Sequence, residues 1–224
     1  MKLSSYTTSV LKNFATINQN LLIRKGNELL TMSAMKNVYG RANIEETFPK
    51  EFAIYDLNEF LAALSIFAVP ILEFEDQYLI IKEEGQPNKK LKYFYSSKSV
   101  VQSLSKAINM PSEEVKFHLT NEKLLEIKQA AGVIGSPDMV LQKLNGSSSL
   151  ITKDKKNDTA NNYSSDIKTE AAGEFEFYFK VENLKLLDGD YDVKISSKNI
   201  SNFIHNNGKV EYWIALEPES TYSE

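Results

Sequence analysis

Near the N-terminus, apolar side chains recur at the spacing of a helix. Between residues 5 and 18, Val10, Leu11, Phe14 and Ile17 gather on one side at about 100° per residue. Ser5, Thr8, Lys12, Ala15 and Thr16 fall on the other side. Short apolar and β-branched runs follow at 21–24, 28–34 and 38–44, with Gly26 and Asn27 as a turn signal, and again at 52–55. Asp56 is placed to cap a helix over 57–67, whose buried stripe is Leu57, Phe60, Leu61 and Leu64. Strands are predicted at 70–74, 78–82 and 91–95, with GQPNKK (85–90) as a loop.

The same order then returns. A strand over 115–119 precedes a helix over 121–131, and 139–144 opens a new set of strands that reaches 175–179. A short helix over 182–187 ends at Gly189, and strands at 191–195, 199–204 and 210–216 complete the set. Each half thus holds two helices and roughly seven to nine strands. The halves share no obvious sequence identity, so the repeat is architectural. The predicted fold is α+β: two similar domains, 1–110 and 111–224, each with two helices packed on antiparallel sheets and joined near Met110-Pro111. The polar stretch 145–173 is expected to form mobile hairpin connections.

Composition narrows the class. A hydrophobic content of 42% and a charged content of 25% are those of a globular protein rather than a disordered one. No apolar run approaches the ~18 residues of a membrane span, and no signal-peptide h-region opens the chain. The absence of cysteine excludes disulfides, thiolate metal sites and a cysteine nucleophile, and fits a reducing compartment. Four N-x-S/T sequons, at Asn145, Asn157, Asn162 and Asn199, read as chance in Asn- and Ser-rich loops.

The formal net charge of −4 is unevenly spread. Residues 1–110 carry 13 basic and 11 acidic side chains, whereas residues 111–224 carry 13 basic and 19 acidic ones. From Met1 to Asn27 there are Lys2, Lys12, Arg24 and Lys25 but no acid until Glu28. This excludes a uniformly basic nucleic-acid binder but leaves room for a local basic face on an acidic protein. The polar face of the first helix offers small hydroxyls and one cation, a surface suited to close approach to phosphates. A solvated face whose lack of acid is accidental fits the pattern equally well.

Candidate catalytic chemistry is sparse. The chain has two histidines, His118 and His205, each in a strand-like run, and none of the common nucleotide, metalloprotease or hydrolase motifs. DGDYD places Asp188, Asp190 and Asp192 at alternating positions. An EF-hand counted from Asp188 needs Gly at position 6 and Glu at position 12, where Val193 and Asn199 stand. The favoured reading is a turn between a helix and a strand. No enzyme activity, metal or cofactor is expected.

Four blocks in order carry a family likeness: LKNFATIN (11–18), AIYDLNEFLAALS (53–65), NLKLLDGDY (183–191) and YWIALEPEST (212–221). Together they resemble the sliding clamps of T-even-type bacteriophages, the processivity factors of DNA polymerases. The resemblance implies a homotrimeric ring of two-domain subunits around duplex DNA, with helices lining the hole, in the cytoplasm of an infected bacterial host. It implies as partners double-stranded DNA, a replicative polymerase held through its C-terminal peptide, a pentameric clamp-loader ATPase and late-transcription factors. Lys12 and Lys185, which lie in matched blocks, are expected to face DNA. In the third helix Lys123 and Lys128 flank the apolar stripe, and snorkelling would bring them to the hole. The partner peptide's pocket is expected between a subunit's domains, around Met110, Pro111, Leu216 and Pro218. Three other readings compete. A single-strand binding module draws on Tyr93, Phe94 and Tyr95 beside KKLK (89–92), a structural virion protein on the β-rich character, and a metal-dependent nuclease on DGDYD.

Overall fold

A computed structural model describes residues 1–102 and 108–223. The chain forms two compact units, Met1–Ala107 and Ile108–Glu224.

In the first unit, helix α1 (Ser5–Ile17) starts at Ser4, whose side chain accepts from the Thr7 N–H. Thr7 and the four predicted apolar side chains, Val10, Leu11, Phe14 and Ile17, are buried. At ~1.5–3 kcal/mol for each fully buried large apolar side chain, that stripe is ample to hold the helix on its sheet. Strands β1 (Leu21–Ile23), β2 (Gly26–Met32), β3 (Val38–Phe48) and β4 (Phe52–Ile54) follow. β1 pairs with β4 and β2 with β3, both antiparallel. Asp56 caps α2 (Leu57–Ser65) as predicted, accepting from the Asn58 and Glu59 N–H groups. α1 packs on β3 and against α2. Strands β5 (Pro70–Phe74), β6 (Tyr78–Glu83) and β7 (Gln86–Phe94) form an antiparallel sheet in that order.

GQPNKK is therefore not a loop. The turn is confined to Glu84 and Gly85, where φ is 75°, and the register irregularity between Lys82 and Glu83 absorbs Pro87. An edge strand tolerates proline there because the missing N–H would have had no ladder partner.

In the second unit β8 (Val115–Leu119) leads to α3 (Asn121–Ile134), which packs on β9 (Asp138–Leu144) and β10 (Ser147–Lys153). With β11 (Tyr163–Asp166), β12 (Glu174–Lys180) and, at the C-terminus, β16 (Thr221–Ser223), these strands form a sheet of order β11-β10-β9-β12-β16. Strands β13 (Tyr191–Ser196), β14 (Ile200–His205) and β15 (Val210–Ala215) make a second ladder in which β13 pairs with both β8 and β14.

Two expectations are corrected here. The stretch 145–173 is not connection alone: it carries two strands, β10, paired with β9 over seven residues, and β11, paired with β10 over four. Its serines escaped a strand reading because only Leu150 and Thr152 are buried on β10, too short an alternation to stand out. The predicted fourth helix is a single 3-10 turn, Val181–Asn183. Leu184 and Leu186 are both buried. Residues two apart lie on opposite sides of a helix but on one side of an extended chain, so burying both requires the extended form. Among the described residues the second unit thus has one α-helix, not two.

Candidate nucleic-acid interface

The outward face of α1 is built by what faces inward. With Thr7, Val10, Leu11, Phe14 and Ile17 committed to the core, Ser5, Ser9, Lys12 and Thr16 are left exposed, with Thr8 half-buried beside them. The Thr8 and Ser9 hydroxyls donate to the carbonyls of Ser4 and Ser5, at 2.9 and 3.0 Å. Their lone pairs remain outward, and their bulk stays low. Lys12 makes no ion pair among the described residues. α2 adds Asn58, Glu59, Ala62 and Ser65 to the exposed surface, so Glu59 is its one exposed acid.

A helix without an acid in its first turn normally forgoes a favourable dipole contact. α1 receives one from elsewhere. Glu46 on β3 accepts from the Ser4 N–H and the Thr7 hydroxyl. Burial pushes the Glu46 carboxyl up, but hydrogen bonds from Thr7 and Ser4 outweigh it and leave the group below the usual carboxylate range. The charge sits on the buried side of the helix, and the outward face stays free of acid.

α3 is arranged differently. Its buried residues are Leu124, Ile127 and Ala131, and its exposed stripe is Glu122, Leu125, Gln129, Gly132 and Val133. Leu125 is 49% and Val133 79% exposed. The two lysines are turned aside. The Lys123 ammonium lies 2.9 Å from Glu126 and donates to the Ser165 hydroxyl on β11. The Tyr163 hydroxyl donates to the same Glu126 at 2.6 Å. Hydrogen bonds from Tyr163, Lys123 and Ser165 hold the Glu126 carboxyl down at about 2. Lys128 is half-buried, its ammonium pushed below its ordinary value by burial, with the Asp188 carboxylate opposing that shift. Lys185 follows the 3-10 turn in irregular chain. It is half-buried, and its N–H donates to the Asn183 carbonyl at 2.8 Å.

The residues expected around the partner pocket belong to the second unit. Leu216 is buried, its N–H donating to the Asn199 carbonyl at 3.0 Å; Met110 is half-buried, and Pro111 and Pro218 are exposed.

The remaining candidates have structural roles. Asp190 accepts from the Asn121 N–H at 2.7 Å, at the start of α3. Asp192 lies 2.9 Å from Nδ1 of His118, its cross-strand partner. The Asn207 N–H donates to His205 Nδ1, so the proton sits on Nε2, which donates to the Asp188 carbonyl at 3.0 Å. Gly189 has φ 144°, and a Cβ there would stand 2.2 Å from that imidazole. DGDYD is a turn tied to the start of α3 by Asp190, to β8 by Asp192 and to β14 by His205. Among the described residues no three His, Asp or Glu side chains are grouped to hold a metal ion.

Comparison with known proteins places these features. The family model described as "DNA polymerase processivity factor" matches residues 2–70, and the one described as "gp45 sliding clamp, C terminal" matches residues 116–218. The sliding clamp of Vibrio phage KVP40 is 33% identical, the match covering 97% of this chain and 99% of that one. The sliding clamp of Enterobacteria phage T4 is 28% identical over 99% of both chains. Among solved structures, proliferating cellular nuclear antigen from Entamoeba histolytica superposes with a TM-score of 0.67 at 14% identity, covering 94% of each chain. The PCNA2–PCNA3 complex from Sulfolobus tokodaii gives 0.66 at 12% identity, covering 95% of this chain and 96% of that one. At such identities these two show a shared clamp fold. The whole-length phage matches and both family models show more: this chain belongs to the sliding-clamp family of T4-like phages, the processivity factors of DNA polymerases.

Proposed function

We propose that this chain assembles into a homotrimeric ring that encircles duplex DNA without regard to sequence and tethers the replicative polymerase of an infecting phage in the bacterial cytoplasm. The observation that carries the reading is the outward face of α1, where Lys12 and small hydroxyls stand without an acid on a protein of net charge −4. Such a face admits phosphates at close range without gripping them, while the acidic remainder repels DNA. Lys12 is assigned the principal contact and Lys185 a second. Lys123 and Lys128 contribute only if they leave Glu126 and the neighbourhood of Asp188.

Ring closure is supported by the sheets. Each unit has a terminal strand at one sheet edge, β7 in the first and β11 in the second. A head-to-tail contact repeated by a threefold rotation satisfies both edges. β7 brings Lys90 and Lys92 to that contact and β11 brings Asp166. A clamp-loader ATPase opens the ring, the polymerase peptide docks near Met110, Pro111, Leu216 and Pro218, and late-transcription factors use the same loaded ring.

Adhesion and encirclement separate cleanly. A protein held by six to ten phosphate contacts loses roughly 10³–10⁵ in affinity between 50 and 200 mM salt. A closed ring is held by topology. Loaded on nicked circular DNA, the protein survives gel filtration at moderate salt and is released when the circle is cut once. Equal retention on circular and linear DNA, or equal loss from both, would falsify this reading.

The single-strand alternative has one observation in its favour: Phe94 is 61% exposed, with the Lys92 ammonium 4.7 Å from its ring and 3.7 Å from that of Tyr78. Its neighbours do not extend the platform. Burial, reinforced by nearby carboxylates, pushes the Tyr93 and Tyr95 phenols up to about 12, and Tyr95 packs against buried Phe52 at 4.9 Å. One exposed ring beside one lysine makes a poor track for successive bases.

A further inference from the structure

Beside α1 lies a groove of about 480 Å³, walled by α1, by the end of α2 and by the turn that leads into β5. Its apolar lining comes from Leu3, Leu61, Leu64, Phe67, Val69 and Pro70. Lys2 and Lys12 stand in its lining, and no carboxylate or side-chain amide does. The Ser9 and Ser65 hydroxyls in its walls already donate to the carbonyls of Ser5 and Ala62, at 3.0 and 2.7 Å.

The turn is held open by a buried acid. Glu83 accepts from the N–H groups of Ala68 and Val69, at 2.9 and 2.7 Å, and from the Lys89 ammonium at 2.9 Å. The two backbone bonds tie Ala68 and Val69 to β6, and Lys89 on β7 holds the same carboxylate in place, so the groove wall is fixed rather than a gap that side chains close. A cleft of a few hundred Å³ that is mostly apolar with a few convergent polar groups is the usual form of a small-molecule site.

We propose that this groove binds an amphipathic organic anion: one carboxylate or sulfonate on an apolar body of roughly twenty heavy atoms or fewer. The head group meets Lys12 and Lys2, and the body lies on Leu61, Leu64 and Phe67. Lys2 is partly neutralised by Glu84 at 3.4 Å, which leaves Lys12 as the principal anchor. A nucleotide is a poorer fit. The lining has no amide or carboxylate to read a base edge. The site lies within one unit of one chain, so it does not depend on ring assembly. Because Lys12 also serves the DNA-facing surface, an occupied groove withdraws that cation from phosphate.

The test uses 8-anilinonaphthalene-1-sulfonate as the probe on the full-length protein. Saturable fluorescence enhancement at one probe per chain is expected, with a dissociation constant on the order of 10–100 µM. Laurate displaces the probe. Lys12→Gln weakens binding about five- to tenfold, corresponding to the loss of one charge-assisted contact. Ser65→Trp and, from the opposite wall, Ser9→Trp each fill the groove and abolish the signal, with folding checked by circular dichroism. Val133→Gln, at the exposed apolar site on α3, leaves it unchanged. The assignment is overturned if enhancement fails to saturate, if Val133→Gln removes it, if neither tryptophan variant that remains folded reduces it, or if thymidine monophosphate displaces the probe as well as laurate does.

Discussion

α1 and α3 are each the first helix of their unit and each packs on a sheet, yet their outward faces differ in kind. α1 shows Ser5, Ser9, Lys12 and Thr16; α3 shows Glu122, Leu125, Gln129, Gly132 and Val133. The carboxylate that α1 uses comes from β3 and sits beneath it, whereas α3's Glu126 lies within the helix and captures Lys123. Two helices can share a scaffold role and diverge in what they offer a partner. The scaffold needs only the inward stripe, and the outward positions are then free.

The largest effects belong to the shared role. Phe14 and Ile127 are both buried; in denaturant unfolding Phe14→Ala should cost about 3–5 kcal/mol and Ile127→Ala about 2–5 kcal/mol. A cost below ~1 kcal/mol at either position would show that the helix is not seated as described.

Next comes the divergent role. Lys12→Glu should lower processive synthesis about tenfold or more at moderate salt while light scattering still gives about three times the 25.4 kDa chain mass. Lys185→Glu should act in the same direction. Lys123→Glu should have a smaller direct effect, since its ammonium is already engaged. If Lys123→Glu is the more damaging while the trimer persists, the comparison between the helices is reversed. Val133→Lys tests it constructively, by adding a cation to the outward face of α3, and should lengthen retention on circular DNA severalfold.

pH provides a finer probe. The Glu126 carboxyl is held at about 2 by Tyr163, Lys123 and Ser165, below the ordinary 4.5. A depressed carboxylate contributes stability above its unfolded pKa, and that contribution is lost as pH falls from about 4.5 towards 2. Glu126→Gln should therefore flatten the acid limb of the stability curve in this window and leave neutral-pH stability within about 1 kcal/mol, as expected for a half-buried pair that solvent still screens. The smallest functional effect is expected from Asp190→Ala. Losing the bond to the Asn121 N–H should cost about 1 kcal/mol in stability, with processivity unchanged.

Much of this was legible in order along the chain. The stripe of α1, the Asp56 cap and the β8–α3 succession follow from local periodicity and capping chemistry, which act within a few residues. Lys12 was legible as an outward cation for the same reason. Lys123 was not readable as a captive, because Ser165 and Tyr163 lie about forty residues away on β11. β10 and β11 were hidden in a serine-rich stretch because their ladder partners, not their own side chains, define them as strands.

The sequence by itself determined the helix stripes, the turns that glycine permits, the charge asymmetry between the halves and the family to which the chain belongs. Tertiary structure alone decided where the long-range polar partners fall. It placed Glu46 under α1 rather than on it, drew Lys123 onto Glu126, stretched Leu184 and Leu186 into extended chain, and set Glu83 to hold the groove wall. The physical reason is one of range. Periodicity and capping are satisfied among neighbours, whereas a buried carboxylate or an ammonium is satisfied by whichever distant strand the sheet brings within three ångströms or so.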